Sequence, residues 1–281
     1  MKLSKAQAKA MIEVNRLVAL DRALSLDERM FVLENYQEST GGNNTLLGAF
    51  FTPQQLAREV AIETPDCKTI VDLCAGIGSL AFVCKDRAER IVCVETNAEY
   101  VRVGRKVMPD ATWIHADVFG DWFKDFERFD VAVSNPPFGP IRADAWDGRY
   151  SGPRFEYKVI ELASRIAKNG TFLVPQQSAP FRYSGVRQYE EKQDEQCRKF
   201  IAATGIEMEM NCGIDTSASR DLWHGVSPIC EIVTCDFDVI VQQTKEQGEK
   251  IAAAPTIAPV SAPVSRTSRE LEQLDLFAEA A

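Results

Sequence analysis

The chain has 281 residues, 45% of them apolar and 26% charged, the balance of a globular protein with room for one large α/β domain and additions. No apolar run is long enough to cross a bilayer, and Met1, Lys2, Leu3, Ser4 and Lys5 lack the apolar centre of a secretory signal, so the expected location is cytoplasmic. The net charge of −9 predicts weak non-specific affinity for polyanions, because neutralising phosphates supplies much of that affinity; it leaves room for a local basic patch.

Residues 1–37 read as helical. Met11, Val14, Leu17 and Val18 recur at helical spacing, and Ser25 with Glu28 forms a capping box. A loop carrying Gly41 and Gly42 follows. A further helix is expected to open at Thr52, with Thr52 as its cap, Pro53 in its first position and Gln55 completing a capping box. From residue 69, β-rich runs (69–73, 91–94, 112–115, 130–134 and 171–174) alternate with helical stretches. That alternation predicts an α/β fold with a Rossmann-like, doubly wound parallel sheet. Runs at 206–212 and 229–237 have no obvious helix between them and predict an antiparallel pair, making seven strands. Beyond residue 243 the composition shifts to Ala, Pro, Ser and Thr, the make-up of a disordered linker. The expected organisation is an N-terminal helical extension (1–44), an α/β domain (45–242) and a linker with a tail (243–281). Eight cysteines, several in apolar runs (Cys74, Cys84, Cys93, Cys230), occur with no Cys-x-x-Cys pair and two histidines. They read as buried thiols, not disulfides or a metal site.

Val71-Asp72-Leu73-Cys74-Ala75-Gly76-Ile77-Gly78 follows the first expected strand and precedes a helix. Gly76 and Gly78 permit a sharp turn and close approach of backbone to a ligand. The third glycine of the dinucleotide fingerprint is missing, so a nicotinamide cofactor is not the first choice. The second strand ends in Glu95, at the spacing where an acid meets ribose hydroxyls, and the third ends in Asp117, placed to accept from an adenine amine. Asp72, Glu95 and Asp117 thus close successive strands around the crevice where such sheets bind ligands. In their order these elements resemble class I S-adenosylmethionine-dependent methyltransferases. The resemblance implies that backbone around Cys74, Ala75 and Gly76 meets the methionine end of the cofactor. It also implies that Glu95 holds the ribose, and that Asp117 with the Val118 amide holds the adenine.

The fourth strand runs directly into Asn135-Pro136-Pro137-Phe138. The two prolines remove donors and fix the backbone, so that carbonyls and the Asn135 side chain point into the cleft. An aromatic amine is a poor nucleophile because its lone pair is delocalised. Hydrogen bonds from it to Asn135 and the Pro136 carbonyl would localise that pair and aim it, while Phe138 stacks on the base. The motif resembles that of amino-methyltransferases acting on adenine in DNA, guanine in ribosomal RNA or glutamine in protein. Gly48-Ala49-Phe50-Phe51-Thr52-Pro53 narrows the choice, since it resembles an element of DNA adenine methyltransferases whose cofactor motifs precede the catalytic one. The resemblance implies that Phe51, Thr52 and Pro53 lie against the methionine part of the cofactor.

That family's better-known members carry a target-recognition domain after the catalytic half, and none is evident here. DNA contacts are therefore expected from two loops. One carries Arg142, Arg149 and Arg154 among Trp146, Tyr150, Phe155 and Tyr157; the other carries Arg182, Tyr183 and Arg187. A target adenine inside a duplex would have to be flipped out. In the tail, Gln273, Leu274, Leu276 and Phe277 lie in a pentapeptide that resembles the one by which bacterial replication proteins bind the sliding clamp; a short amphipathic helix is the plainer reading. The sequence thus reads as a DNA adenine-N6 methyltransferase. The alternatives are an RNA or protein glutamine amino-methyltransferase, and a non-catalytic cofactor-binding regulator held at the clamp.

Overall fold

In the computed structural model, which describes residues 3–37 and 50–239, two capping boxes start the chain. Ser4 with Gln7 opens α1 (Lys5–Val18), and Ser25 with Glu28 opens α2 (Leu26–Asn35). Val14, Leu17 and Val18 are buried at the spacing that the sequence displayed. Next come α3 (Gln54–Ile62) and then the alternating unit: β1 (Cys67–Leu73), α4 (Ser79–Cys84), β2 (Ala88–Glu95), α5 (Ala98–Val107), β3 (Thr112–His115) and β4 (Phe129–Ser134). After a long loop follow α6 (Phe155–Ile166), β5 (Ala167–Pro175), the short strands β6 (Phe181–Arg182) and β7 (Glu190–Glu191), α7 (Glu195–Thr204), β8 (Glu209–Met210) and β9 (Cys230–Asp236).

The main sheet has seven strands in the order β3-β2-β1-β4-β5-β9-β8. Strands β1 to β5 are parallel, and β9 runs antiparallel to both β5 and β8. This is the α/β, Rossmann-like methyltransferase sheet that the alternation predicted. The expected antiparallel pair is present as β8 and β9, with Glu209 opposite Thr234. The hairpin of β6 with β7 forms a second, two-stranded sheet that the sequence pattern did not predict.

Both faces of the sheet are covered, so its strands are apolar throughout instead of alternating. Ile70, Val131 and Val133 join a core beneath α3, α4 and α5, to which α1 and α2 also contribute. Val71, Leu73, Val92, Val94 and Ala132 face the opposite way, into a core with α6 and α7. The chain leaves β1 towards β2 and β3 on one side, and continues from β4 to β5 on the other. That reversal opens a crevice at the carboxyl ends of β1 and β4, where open α/β sheets bind ligands.

The cysteines at described positions are all unpaired, and Cys84, Cys93, Cys197, Cys230 and Cys235 are buried. Among the described residues there is no group of side chains able to hold a metal and no helix long and apolar enough to cross a membrane. The described residues all fall within one compact unit. The expected loop at 39–44, Gly48 and Ala49 of the Phe-Phe-Thr-Pro element, and the whole linker and tail lie outside the described residues.

Candidate active site

The turn after β1 departs from ordinary backbone at three positions. Cys74 has φ +60°, Gly76 +57° and Gly78 +92°, conformations that non-glycine residues rarely adopt. Gly76 is required for a second reason as well: a Cβ there would stand 3.1 Å from two ring carbons of Phe51. The turn is tied to the neighbouring strand end, where the Ala75 N–H donates to the Val94 carbonyl (2.9 Å) and the Gly76 N–H to Glu95 Oε2 (2.9 Å). The other oxygen of Glu95 accepts from the Asn97 N–H (2.8 Å). Asn97 in turn caps α5 through its side chain. Burial pushes the Glu95 carboxyl above its ordinary range, and these backbone donors pull it back. Each carboxylate oxygen retains lone-pair capacity for a ligand hydroxyl.

Asp72 lies deeper. It is 1% exposed and accepts from the Ala81 N–H (3.0 Å), so it fastens α4 to β1. Burial raises its pKa to about 8, against the pull of that single backbone donor. Asp117 is exposed on the rim, where Oδ1 accepts from the Phe119 N–H (2.9 Å).

These residues frame a cleft of about 270 Å³. Phe51, Cys74, Gly76 and Asn135 form part of its wall, Glu95 to Asn97 another, and Asp117, Val118, Phe119 and Ile141 a largely apolar third. A smaller cavity of about 30 Å³ adjoins it, reached by Thr52, Asp72, Ala75, Ser79 and Asn135. The structure thus brings together every sequence-predicted cofactor residue except Pro53 and Gly78. Pro53 is the N-cap residue of α3, and Gly78 that of α4.

Asn135 follows β4 at the junction of the two spaces. Its Nδ2 donates to the Phe50 carbonyl (3.0 Å) and to Thr52 Oγ1 (2.9 Å). A carbonyl can only accept, so this pair fixes which way the amide faces. Oδ1 points the other way and is a buried acceptor with no hydrogen-bond partner, the kind of group that costs about 1–3 kcal/mol unless something satisfies it. Beneath the turn, the Ser134 hydroxyl donates to the Leu73 carbonyl and joins β4 to β1.

Five expectations are corrected. Thr52 does not cap a helix: α3 starts at Gln54, Pro53 is its N-cap residue without a side-chain bond, and the Thr52 hydroxyl is engaged by Asn135. The expected Gln55 capping box is therefore not formed. Phe138 packs against the hydrophobic core and does not line the cleft. Arg154 is not offered to phosphates; its side chain is 12% exposed and held by Asp194, the Tyr157 hydroxyl and the Gln177 carbonyl. The aromatics of the loop expected to contact DNA are largely core, with Tyr150 and Tyr157 buried against Phe200 and Trp146 packed on Phe119. Of the other arginines, Arg142 lies at the cleft mouth paired to Asp144, Arg149 stands 3.7 Å from buried Glu161, Arg182 donates to Gln176, and Arg187 is exposed.

A residue that sequence reasoning missed stands behind the wall. Tyr36, at the end of α2, meets Phe51 and Tyr100 edge-on, with ring centroids 5.7 and 6.2 Å away. The N-terminal extension thus buttresses the ring that covers Gly76. Nothing in the local sequence of Tyr36 marks this role.

Residues 54–146 match the family model of the methyltransferase small domain. The match runs from α3 through the Asn135-Pro136-Pro137-Phe138 turn and supports a methyltransferase. No curated protein matches the chain. Among solved structures, the chain is similar to a Pyrococcus horikoshii protein designated an RNA methyltransferase (18% identity, TM-score 0.47, covering 75% of this chain and 97% of that one). It is also similar to the M protein of the type I restriction enzyme EcoKI (10% identity, TM-score 0.45, 83% and 54%). A third is a Thermus thermophilus 16S rRNA methyltransferase solved with S-adenosylmethionine and guanosine (16% identity, TM-score 0.41, 67% and 44%). At these identities the likeness concerns the fold alone.

Proposed function

We propose that the chain is an S-adenosylmethionine-dependent methyltransferase acting on an exocyclic aromatic amine, the N6 amine of adenine in DNA. The observation that carries this reading is Asn135 Oδ1, a buried acceptor without a partner, oriented by two bonds at the opposite end of its own amide. An amine N–H is a donor that satisfies such an acceptor.

The residues present fit the cofactor. Glu95 offers carboxylate oxygens to vicinal hydroxyls, Val118, Phe119 and Ile141 give apolar surface for a flat ring, and Asp117 stands at the rim as an acceptor for its amine. The left-handed turn at Cys74 and Gly76 presents backbone to the far end of the cleft. The match to the methyltransferase small domain supports the same assignment. When bound, S-adenosylmethionine supplies an already activated methyl group on a sulfonium. The protein therefore needs to position the acceptor and to exclude water, and it needs no strong base. Asn135 Oδ1 and the Pro136 carbonyl draw on the amine hydrogens, which returns lone-pair density to the nitrogen. DNA as the substrate rests on the pairing of Phe50-Phe51-Thr52-Pro53 with Asn135-Pro136-Pro137-Phe138, and the hydrogen bond from Asn135 to Thr52 joins these two elements directly.

The test is transfer of label from methyl-tritiated S-adenosylmethionine by the full chain to duplex DNA, cellular RNA and protein extract, followed by nucleoside digestion. Label in N6-methyldeoxyadenosine supports the reading. Label confined to RNA or to protein glutamine overturns the substrate class, and binding without any transfer supports the regulator. For the tail, we propose on sequence alone that Gln273, Leu274, Leu276 and Phe277 dock on the bacterial sliding clamp. Such a tether would raise the local DNA concentration around an acidic enzyme. Polarisation of a peptide spanning 269–281 against purified clamp tests it, and no binding at high micromolar peptide overturns it.

A further inference from the structure

The catalytic turn ends at Gly139, whose peptide groups are held on both sides by the start of α6. The Gly139 carbonyl accepts from the Phe155 N–H (3.0 Å), supplying a cap that Arg154, the N-cap residue, does not give through its side chain. The Gly139 N–H donates to Glu156 Oε2 (3.0 Å). At φ +91° Gly139 occupies a conformation that other residues rarely adopt. A Cβ there would meet nothing within 4 Å, so it is the backbone bend and not lack of room that calls for glycine.

Glu156 is 1% exposed, and its second oxygen accepts from the Ser178 hydroxyl (2.8 Å). Ser178 is itself buried, in the turn that follows β5. One carboxylate therefore spans the loops leaving β4 and β5, which follow neighbouring parallel strands of the sheet. A second tie runs parallel to it: the Tyr157 hydroxyl, one residue further along α6, donates to the Ser178 carbonyl (2.8 Å). Taking a carboxylate out of water is costly, and burial pushes the Glu156 pKa up while its hydrogen bonds pull it back. An apolar residue would fill the same space without that cost, but it could not fix two separate loops at once.

We propose that Glu156 is a positioning residue for methyl transfer: it holds the bend after Asn135-Pro136-Pro137-Phe138 against the turn after β5, and so sets where Asn135 Oδ1 stands. This rests on the proposed function, and its test includes an arm that does not.

Four proteins are compared as full chains: wild type, Glu156→Ala, Glu156→Gln and Ser178→Ala. Glutamine can still accept from the Gly139 N–H and donate towards the Ser178 hydroxyl, so it should rescue. In the labelled-methyl assay on DNA, Glu156→Ala should lower kcat by about 10- to 100-fold, the scale of a displaced reacting group. Its calorimetric affinity for S-adenosylmethionine should stay within about twofold of wild type, because Glu156 lies outside the cofactor wall. Glu156→Gln should recover most of the rate, and Ser178→Ala should fall between. In the independent arm, hydrogen exchange in peptides covering 135–141 should speed up in Glu156→Ala and remain near wild type in Glu156→Gln. Wild-type kcat in Glu156→Ala, an equal loss in Glu156→Gln, or unchanged exchange at 135–141 would overturn the proposal. If the wild type transfers no methyl to any acceptor, the functional reading fails, and the exchange arm alone decides whether Glu156 holds the turn.

Discussion

The two sides of the crevice are built differently. On the β1–β2–β3 side, the predicted acids sit at or just beyond strand ends, Asp72 near the end of β1, Glu95 closing β2 and Asp117 two residues past β3, and the bonds that shape the wall run between adjacent strand ends: Gly76 to Glu95, Glu95 to Asn97, Ala75 to Val94. On the β4–β5 side, the decisive bonds join distant segments. Asn135 is oriented by Phe50 and Thr52, 85 and 83 residues earlier. Ser184 and Tyr183 are anchored on Glu231, 47 and 48 residues later. A side built on local turns has its specification in contiguous motifs, whereas a side built on long-range bonds has it in pairs that no window of sequence shows.

That contrast makes separable predictions. Changes on the acceptor side should alter turnover and spare cofactor affinity, and changes on the cofactor side should do the reverse. The largest effect is expected from Asn135→Ala, which removes the oriented acceptor and should lower kcat about 100-fold or more, the scale of losing one preorganised hydrogen-bonding group. Cofactor affinity by calorimetry should change little. A parallel loss of both quantities would erase the distinction between the two sides.

Glu95→Ala comes next, with S-adenosylmethionine binding weakened by about 1–3 kcal/mol through lost charge-assisted hydrogen bonds. Because Glu95 also holds Gly76 and Asn97, calorimetry should be run beside a thermal melt. Unchanged affinity would show that the ribose is held elsewhere.

Thr52→Val sharpens the contrast further, since it keeps shape and removes the acceptor for Asn135 Nδ2. A loss of about 1 kcal/mol, roughly fivefold in kcat, is expected, with Thr52→Ser close to wild type. If Thr52→Val instead raised the cofactor Kd and left kcat alone, Thr52 would belong to the cofactor wall.

The remaining prediction concerns stability against pH, not activity. The folded protein holds a proton on Asp72 up to about pH 8, whereas the unfolded chain releases it near the ordinary 3.8. Between those values the folded state binds more protons, so this group makes stability fall as pH rises, by at most about 1.4 kcal/mol per unit. In urea titrations from pH 5 to 8, Asp72→Asn should flatten that slope. An unchanged slope would mean that Asp72 is ionised in the fold.

The same contrast explains what was legible in the sequence. Strand-helix alternation gave the sheet, because strands buried on both faces are written as apolar runs such as Ile91 to Val94. Asp72, Gly76, Glu95 and Asp117 were legible because strand ends and left-handed turns constrain residue type locally. Thr52 was misjudged as a helix cap: Thr-Pro before a helix has that meaning by local chemistry, and only the tertiary fold sets its hydroxyl against Asn135. Arg154 and Tyr157 were misjudged as surface groups for a related reason. An arginine among aromatics looks alike in sequence whether it faces solvent or, as here, a buried tyrosine and Asp194. Glu156 carried no signal, since an acid in the first turn of a helix is ordinary at the surface and favoured there by the helix dipole.

The central claim is that Asn135 presents its oxygen to an adenine amine in DNA. Base-resolved sequencing of DNA from cells expressing the wild-type chain or Asn135→Ala tests it most directly. The account predicts N6-methyladenine at a defined sequence context with the wild type and its loss with Asn135→Ala at equal protein abundance. Adenine left unmodified in both strains, or modified equally in both, would contradict it.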